Sequence, residues 1–247
     1  MRLLLKIFTL GFLTLFLLPV TFAFSATSTV PTFKAEYKLS HNDIEIGHVT
    51  LTVKKLSPNQ YQLTSSTKTS GLLAFIRDDD VVETSKFELA NGKVRPIFYQ
   101  YIEDLGDDQR NVTLSFDWEK LKVTNTSKGR AWKLKIIEGV LDKALMQIAL
   151  MLDLGNTTEP LIYQIADGGR LKQYAFSPLG KEHITINNTS YKTIKLARKK
   201  DDKPLITYYW CATDLHNLPI LLKREKTYGT FEMRLLNVKF TAEKIKP

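Results

Sequence analysis

The sequence predicts a mainly β protein: a strongly curved or incompletely closed antiparallel barrel of about fourteen strands, with one principal apolar helix packed in its concavity. Three observations carry this. After Pro31, apolar and polar residues alternate with period two through most of the chain. Turn signals such as Asn91-Gly92 separate the alternating runs. The pattern changes only once, to helical spacing, over residues 141–154. An antiparallel sheet of that many strands must curl or split, and its inner face needs a cover. The helix supplies one. A two-layer sandwich is the competing architecture.

The elements follow in order. Residues 33–39, 46–53 and 61–67 alternate cleanly, as strands with one buried face do. Further strands are expected at 81–89, 94–102, 111–116, 121–125 and 132–137. The helical stretch places Leu141, Ala144, Leu145, Ile148, Ala149 and Leu152 on one face. Asp142 is the expected N-terminal cap, and Gly155 the stop. Met146, Leu150, Met151 and Leu154 widen the apolar face, so the helix should be largely buried. Strands resume at 161–166 and 171–176 around Asp167-Gly168-Gly169, then at 183–186 and 190–197 around Asn187-Asn188. Residues 205–212, 218–227 and 230–240 complete the set.

The start of the chain obeys a different rule. Arg2 and Lys6 precede an apolar run over 7–24, interrupted by Thr9, Gly11, Thr14, Pro19 and Thr21. Small residues follow at Ala23, Ser25 and Ala26. This is the order of a secretory signal peptide, with a cut expected before Ala26. The expected organisation is a signal peptide over 1–25 and a single β-rich periplasmic domain over 26–247, with no transmembrane helix after cleavage. The alternative is an uncleaved anchor, because the run approaches the shortest length that spans a bilayer. Lipid attachment at a mature N-terminal cysteine is excluded, since the single cysteine is Cys211.

Composition narrows the chemistry. The chain has 35 basic and 26 acidic residues, a formal charge of +9, which loss of Arg2 and Lys6 lowers by two. Arg198, Lys199, Lys200 and Lys203 form the densest basic cluster, interrupted by Asp201 and Asp202, and read as a solvated turn. A nucleic-acid partner would want a contiguous basic stripe with aromatics, so none is expected. Cys211 follows Trp210 in an apolar stretch and reads as a buried small hydrophobe. His41, His48, His183 and His216 show no metal-ligand spacing, and no metal or cofactor is expected. The acidic clusters at 78–80 and 103–108 read as solvated turns. There is no Gly-x-Ser-x-Gly elbow and no carboxylate pair that stands out, so no catalytic residue is expected.

Several segments taken in order resemble a bacterial family known as domain of unknown function 3108. They are FKAEY at 33–37, IEIGHV at 44–49, ETSKF at 83–87, VRP at 94–96, FDW at 116–118, GVLDKALMQ at 139–147 and WCATDLHNLPI at 210–220. The resemblance implies an exported envelope protein with a curved antiparallel sheet. That shape is similar to periplasmic lipoprotein carriers, which hold acyl chains between sheet and helix. It implies no catalytic residues.

The functional expectation is a non-catalytic periplasmic protein that binds a hydrophobic ligand or a partner between sheet and helix, the partner being a lipid, a lipoprotein or an envelope protein. Leu72, Phe75 and Ile76 lie in the apolar stretch over 70–76, which reads either as core or as a flap at the barrel mouth. As a flap they would form the mouth of the site. Leu145, Met146 and Met151 would line it, the methionines suiting an irregular ligand. Two other readings stay open: an interaction protein acting through its outer surface or a sheet edge, and an envelope hydrolase using carboxylates paired in space.

Overall fold

The computed structural model describes residues 29–70, 80–104, 109–155, 157–200 and 206–241. The expected signal peptide and the candidate mouth residues Leu72, Phe75 and Ile76 lie outside the described residues.

The chain first runs up and down through β1 (Phe33–His41), β2 (Ile44–Ser57), β3 (Gln60–Thr69), β4 (Asp80–Ala90), β5 (Lys93–Asp104), β6 (Gln109–Asp117), β7 (Lys122–Ser127) and β8 (Arg130–Lys135). A two-residue strand, β9 (Leu141–Asp142), precedes helix α1 (Met146–Asp153). A second meander follows: β10 (Leu161–Asp167), β11 (Arg170–Ile186), β12 (Thr189–Lys200), β13 (Ile206–Ala212), β14 (Leu218–Lys226) and β15 (Gly229–Phe240). All fifteen strands join one sheet, in the order β8-β7-β6-β5-β4-β3-β2-β1-β15-β14-β13-β12-β11-β10-β9. Among the described residues only the β9–β10 pair is parallel. The two meanders meet in mid-sheet, where β1 pairs with β15 from Phe33↔Phe240 to His41↔Phe231. A single continuous sheet rules out the sandwich.

Period two does what the sequence pattern implies. On β1, Phe33, Ala35 and Tyr37 are buried and face Val53, Leu51 and Val49 of β2, all buried as well. Bulges between Glu36 and Tyr37, Leu39 and Ser40, and Lys86 and Phe87 interrupt the ladders. Each adds local twist, which lets the long sheet curl. The curl brings β9 against β5. There the Ser85 hydroxyl of β4 donates to Asp142 Oδ2 of β9 at 2.5 Å. Strands β6 to β8 overhang this seam as a wing, so the barrel is incompletely closed.

Helix α1 packs against β5, β10 and β14 and buries Met146, Ile148, Ala149, Leu150 and Met151. It is shorter than the 141–154 expected from spacing. Leu141 and Asp142 pair with Ile165 and Ala166 instead, and the helix begins only at Met146. Asp142 does cap, but it caps the turn before the helix: its Oδ1 accepts from the Ala144 and Leu145 amides, both at 2.9 Å. At the other end Asn217 Nδ2 donates to the carbonyls of Met151 and Leu154, at 3.1 and 2.6 Å. A residue from the β13–β14 turn thus satisfies orphan carbonyls of the last helical turn.

A second difference lies in β11. The run Ser177-Pro178-Leu179-Gly180 resembles a turn, yet one strand continues through it from Arg170 to Ile186. A bulge between Pro178 and Gly180, with Gly180 at φ +118°, absorbs the irregularity without ending the β12 pairing.

Gly47 shows why a strand interior needs a glycine. A Cβ there would stand 2.5 Å from the Lys68 carbonyl oxygen of β3. Gly47→Ala should therefore lower stability by about 2 kcal/mol, as overpacking does. A thermal melt by circular dichroism checks it, and an unchanged midpoint would contradict the close approach.

Candidate functional site

The space between helix and sheet is mostly filled. Leu145, Met146 and Met151 are all buried in the main core with Tyr37, Tyr61, Phe87, Phe176 and Leu196. Of the three, Met146 lines a cavity of about 110 Å³ together with Leu150, Gln147, Phe176 and Tyr209. That is well below the several hundred Å³ of an ordinary ligand pocket. Leu145 and Met151 line none of the larger cavities described below.

Larger open space lies beside the helix. A cleft of about 640 Å³ runs along the outer flank of α1, where the sheet fails to close. Ala149 and Leu152 form its helical wall, Leu161, Ile162 and Tyr163 its β10 wall, and Val94 and Ile137 the opposite side. β9 reaches only Ile165 and Ala166, so the first half of β10 borders the cleft without a strand beyond it. Ile137 and Ile162, at 61% and 58% exposure, stand on its two lips. Lys93, Glu138 and Asp153 give the rim charge of both signs. Tyr163 donates to Asp153 at 2.9 Å, and burial with that carboxylate raises the Tyr163 pKa from its ordinary value.

The wing holds a more polar cavity of about 300 Å³. Its wall is a cross-strand row, Tyr99↔Leu114↔Asn125↔Trp132, on β5 to β8. The β10–β11 turn closes the other side with Asp167 and Gly168. Trp132 packs so tightly on Gly169 that a Cβ there would meet its indole nitrogen at 2.3 Å. Tyr99 donates to Glu83 Oε1 at 2.6 Å, and Lys143 reaches the same oxygen at 3.3 Å. Burial, then Glu83, raises the Tyr99 pKa. Tyr101 is pushed up to about 12 by burial and the nearby Glu103 carboxylate, with Arg110 and Lys143 each 5.5 Å from its ring centre. Asn125 is buried, and its Oδ1 has no partner among the described residues. Strand alternation alone could have flagged Asn125, a polar residue at an inward position between Val123 and Ser127.

Burial pushes the Cys211 thiol far above its usual range, so the thiolate is disfavoured. Among the described residues no three His, Cys, Asp or Glu side chains converge as metal ligands. No described helix is long and apolar enough to cross a membrane.

Among the described residues, the wrapped fifteen-strand sheet with one α-helix defines a β-barrel-like protein. The chain belongs to the DUF3108 family, proteins of unknown function, whose pattern matches residues 32–236. Among solved structures it is similar to a β-barrel-like protein of domain of unknown function DUF1849 from Brucella abortus, with a TM-score of 0.58 and 9% identity. That likeness covers 86% of this chain and 98% of the other, and it extends to the fold. No curated protein matches the sequence.

Proposed function

We propose that this is a non-catalytic binding protein of the cell envelope, exported to the periplasm, which holds the apolar part of a lipid or lipoprotein in the cleft beside the helix. The observation that carries the reading is the 640 Å³ cleft with exposed Ile137 and Ile162 on its lips. Covering such a lip removes apolar area from water, worth roughly 25 cal/mol per Å² before ordering costs. The basic start and apolar run of residues 2–24 support export. The ligand sits on the outer flank of the helix; Leu145 and Met151 support it from below by fixing the helix in place.

Native mass spectrometry of protein isolated from its own periplasm, with titration of a fluorescent acyl probe, tests the reading. A bound mass and probe retention are expected. Ile137→Asp and Ile162→Asp should each weaken the probe at least about tenfold, or about 1.4 kcal/mol. Both side chains are exposed, so the fold should survive. An empty protein that also retains no probe would overturn the proposal.

A further inference from the structure

At the opposite end of the barrel from that cleft, two arginines converge on one hydroxyl. Arg198 Nη2 and Arg224 Nε donate to Thr207 Oγ1 at 3.1 and 2.9 Å. The sequence places Arg198 in a solvated basic turn; the structure turns it inward instead. Register explains why. Leu196, Tyr209, Leu222, Met233 and Leu39 form one cross-strand row on β12, β13, β14, β15 and β1. Two residues further along the strands, on the same face, stand Arg198, Thr207, Arg224, Phe231 and His41. Leu196 and Tyr209 are core residues, so the second row also faces the interior, one step nearer the mouth.

Two like charges in one half-buried place need a reason. Among the described residues neither Arg198 nor Arg224 has a carboxylate partner. Glu232, which lines the adjoining cavity, is held by Arg234 at 2.8 Å. Among the described residues Arg198 Nε is buried without a hydrogen-bond partner, as is His41 Nε2 in the same row. The rings of Tyr174 and Tyr209 lie against the Arg198 guanidinium, 5.1 and 5.4 Å from their centres. Stacking occupies the face of a guanidinium and leaves its N–H edge for an acceptor. Burial and the Arg198 charge lower the Arg224 pKa. Beside Thr207 and Arg224 opens a cavity of about 360 Å³, floored by Leu39, Leu222, Phe231 and Met233 and bordered by Lys223 and Lys226.

We infer that Arg198 and Arg224 form an oxyanion site for a phosphate group, with the apolar floor beside it placed for a hydrocarbon tail. Paired guanidinium groups match phosphate oxygens through forked, charge-assisted hydrogen bonds. A bound phosphate would neutralise the two cations. The site stands apart from the helix cleft and does not depend on it.

Calorimetric titration of the purified protein with dihexanoyl phosphatidic acid, and separately with inorganic phosphate, tests this at matched ionic strength in chloride. Binding is expected, weakened at least tenfold by Arg198→Gln and by Arg224→Gln. Lys199→Gln, exposed and on the other face of β12, should leave it unchanged. Tighter binding of the lipid identifies a headgroup as the source; equal binding identifies free phosphate, and the site stands either way. If a glutamine variant fails to fold, the wild-type melting temperature serves, since phosphate should raise it above chloride. Absence of both binding and a melting shift overturns the inference. So does a loss caused equally by Lys199→Gln.

Discussion

Asp142→Ala should destabilise the fold by about 4 kcal/mol, seen as a lower urea midpoint at unchanged slope. Asp142 is fully buried and serves three donors: the Ser85 hydroxyl and the amides of Ala144 and Leu145. Alanine would strand all three, each unsatisfied buried donor costing about 1–3 kcal/mol. The loss falls on the seam where β9 meets β4 and on the turn that launches the helix. A change within about 0.5 kcal/mol, the range of an ordinary surface substitution, would show that the seam does not hold the barrel. The same carboxyl makes stability depend on pH. Burial is the main cause that pushes its pKa up to about 7, with Glu83 adding to it, while Ser85 and the two amides pull the other way. The unfolded chain releases this proton near the ordinary carboxylate value of about 4. Between these values the native state holds more protons, so stability falls as pH rises across the window. It is flat below and above. The full change is about 4 kcal/mol. Asp142→Asn keeps the acceptor for both amides and should remove the slope. Urea midpoints from pH 4 to 8 would show the asparagine variant gaining on the wild type as pH rises. Parallel curves would contradict the assignment.

Leu150→Ala should cost a similar amount, about 4 kcal/mol. Leu150 is fully buried on α1 and already borders the 110 Å³ cavity beside Met146 and Phe176. Truncation would enlarge a void whose walls are strands pinned on both sides, so collapse is restricted and the cost lies toward the upper end for leucine. The helix would also lose its grip on the sheet, loosening the wall of the adjoining cleft. Denaturant titration reads the stability. A loss below about 1.5 kcal/mol would mean that the helix covers the sheet without being locked to it.

The strands were legible because each buries one face, and alternation records that directly. Phe33, Ala35 and Tyr37 needed only their spacing. The helix start was not legible, since Leu141 and Asp142 fit a helical face as well as a strand. Their pairing with Ile165 and Ala166 decided the matter, and that partner lies more than twenty residues away. In the sequence β11 looks like two strands, because a bulge and a turn use the same residues, proline and glycine. The core role of Leu145, Met146 and Met151 was legible from the apolar helical face; the filled space around them was not, because volume is a property of packing. The arginine pair was hidden for a different reason. Arg198 and Arg224 become neighbours only through Thr207, on a third strand, so their meeting depends on two registers at once.

The union of β1 and β15 in the middle of the sheet has a consequence for biogenesis. Phe33 must find Phe240, and no intermediate length of polypeptide supplies a substitute. Closing a loop of roughly 200 residues is slow and entropically disfavoured. Each half can zip into hairpins as it emerges from the ribosome, but the ladder joining them waits for the last strand. Until then each half-sheet keeps one open edge, so the barrel's shape is settled only when synthesis is complete.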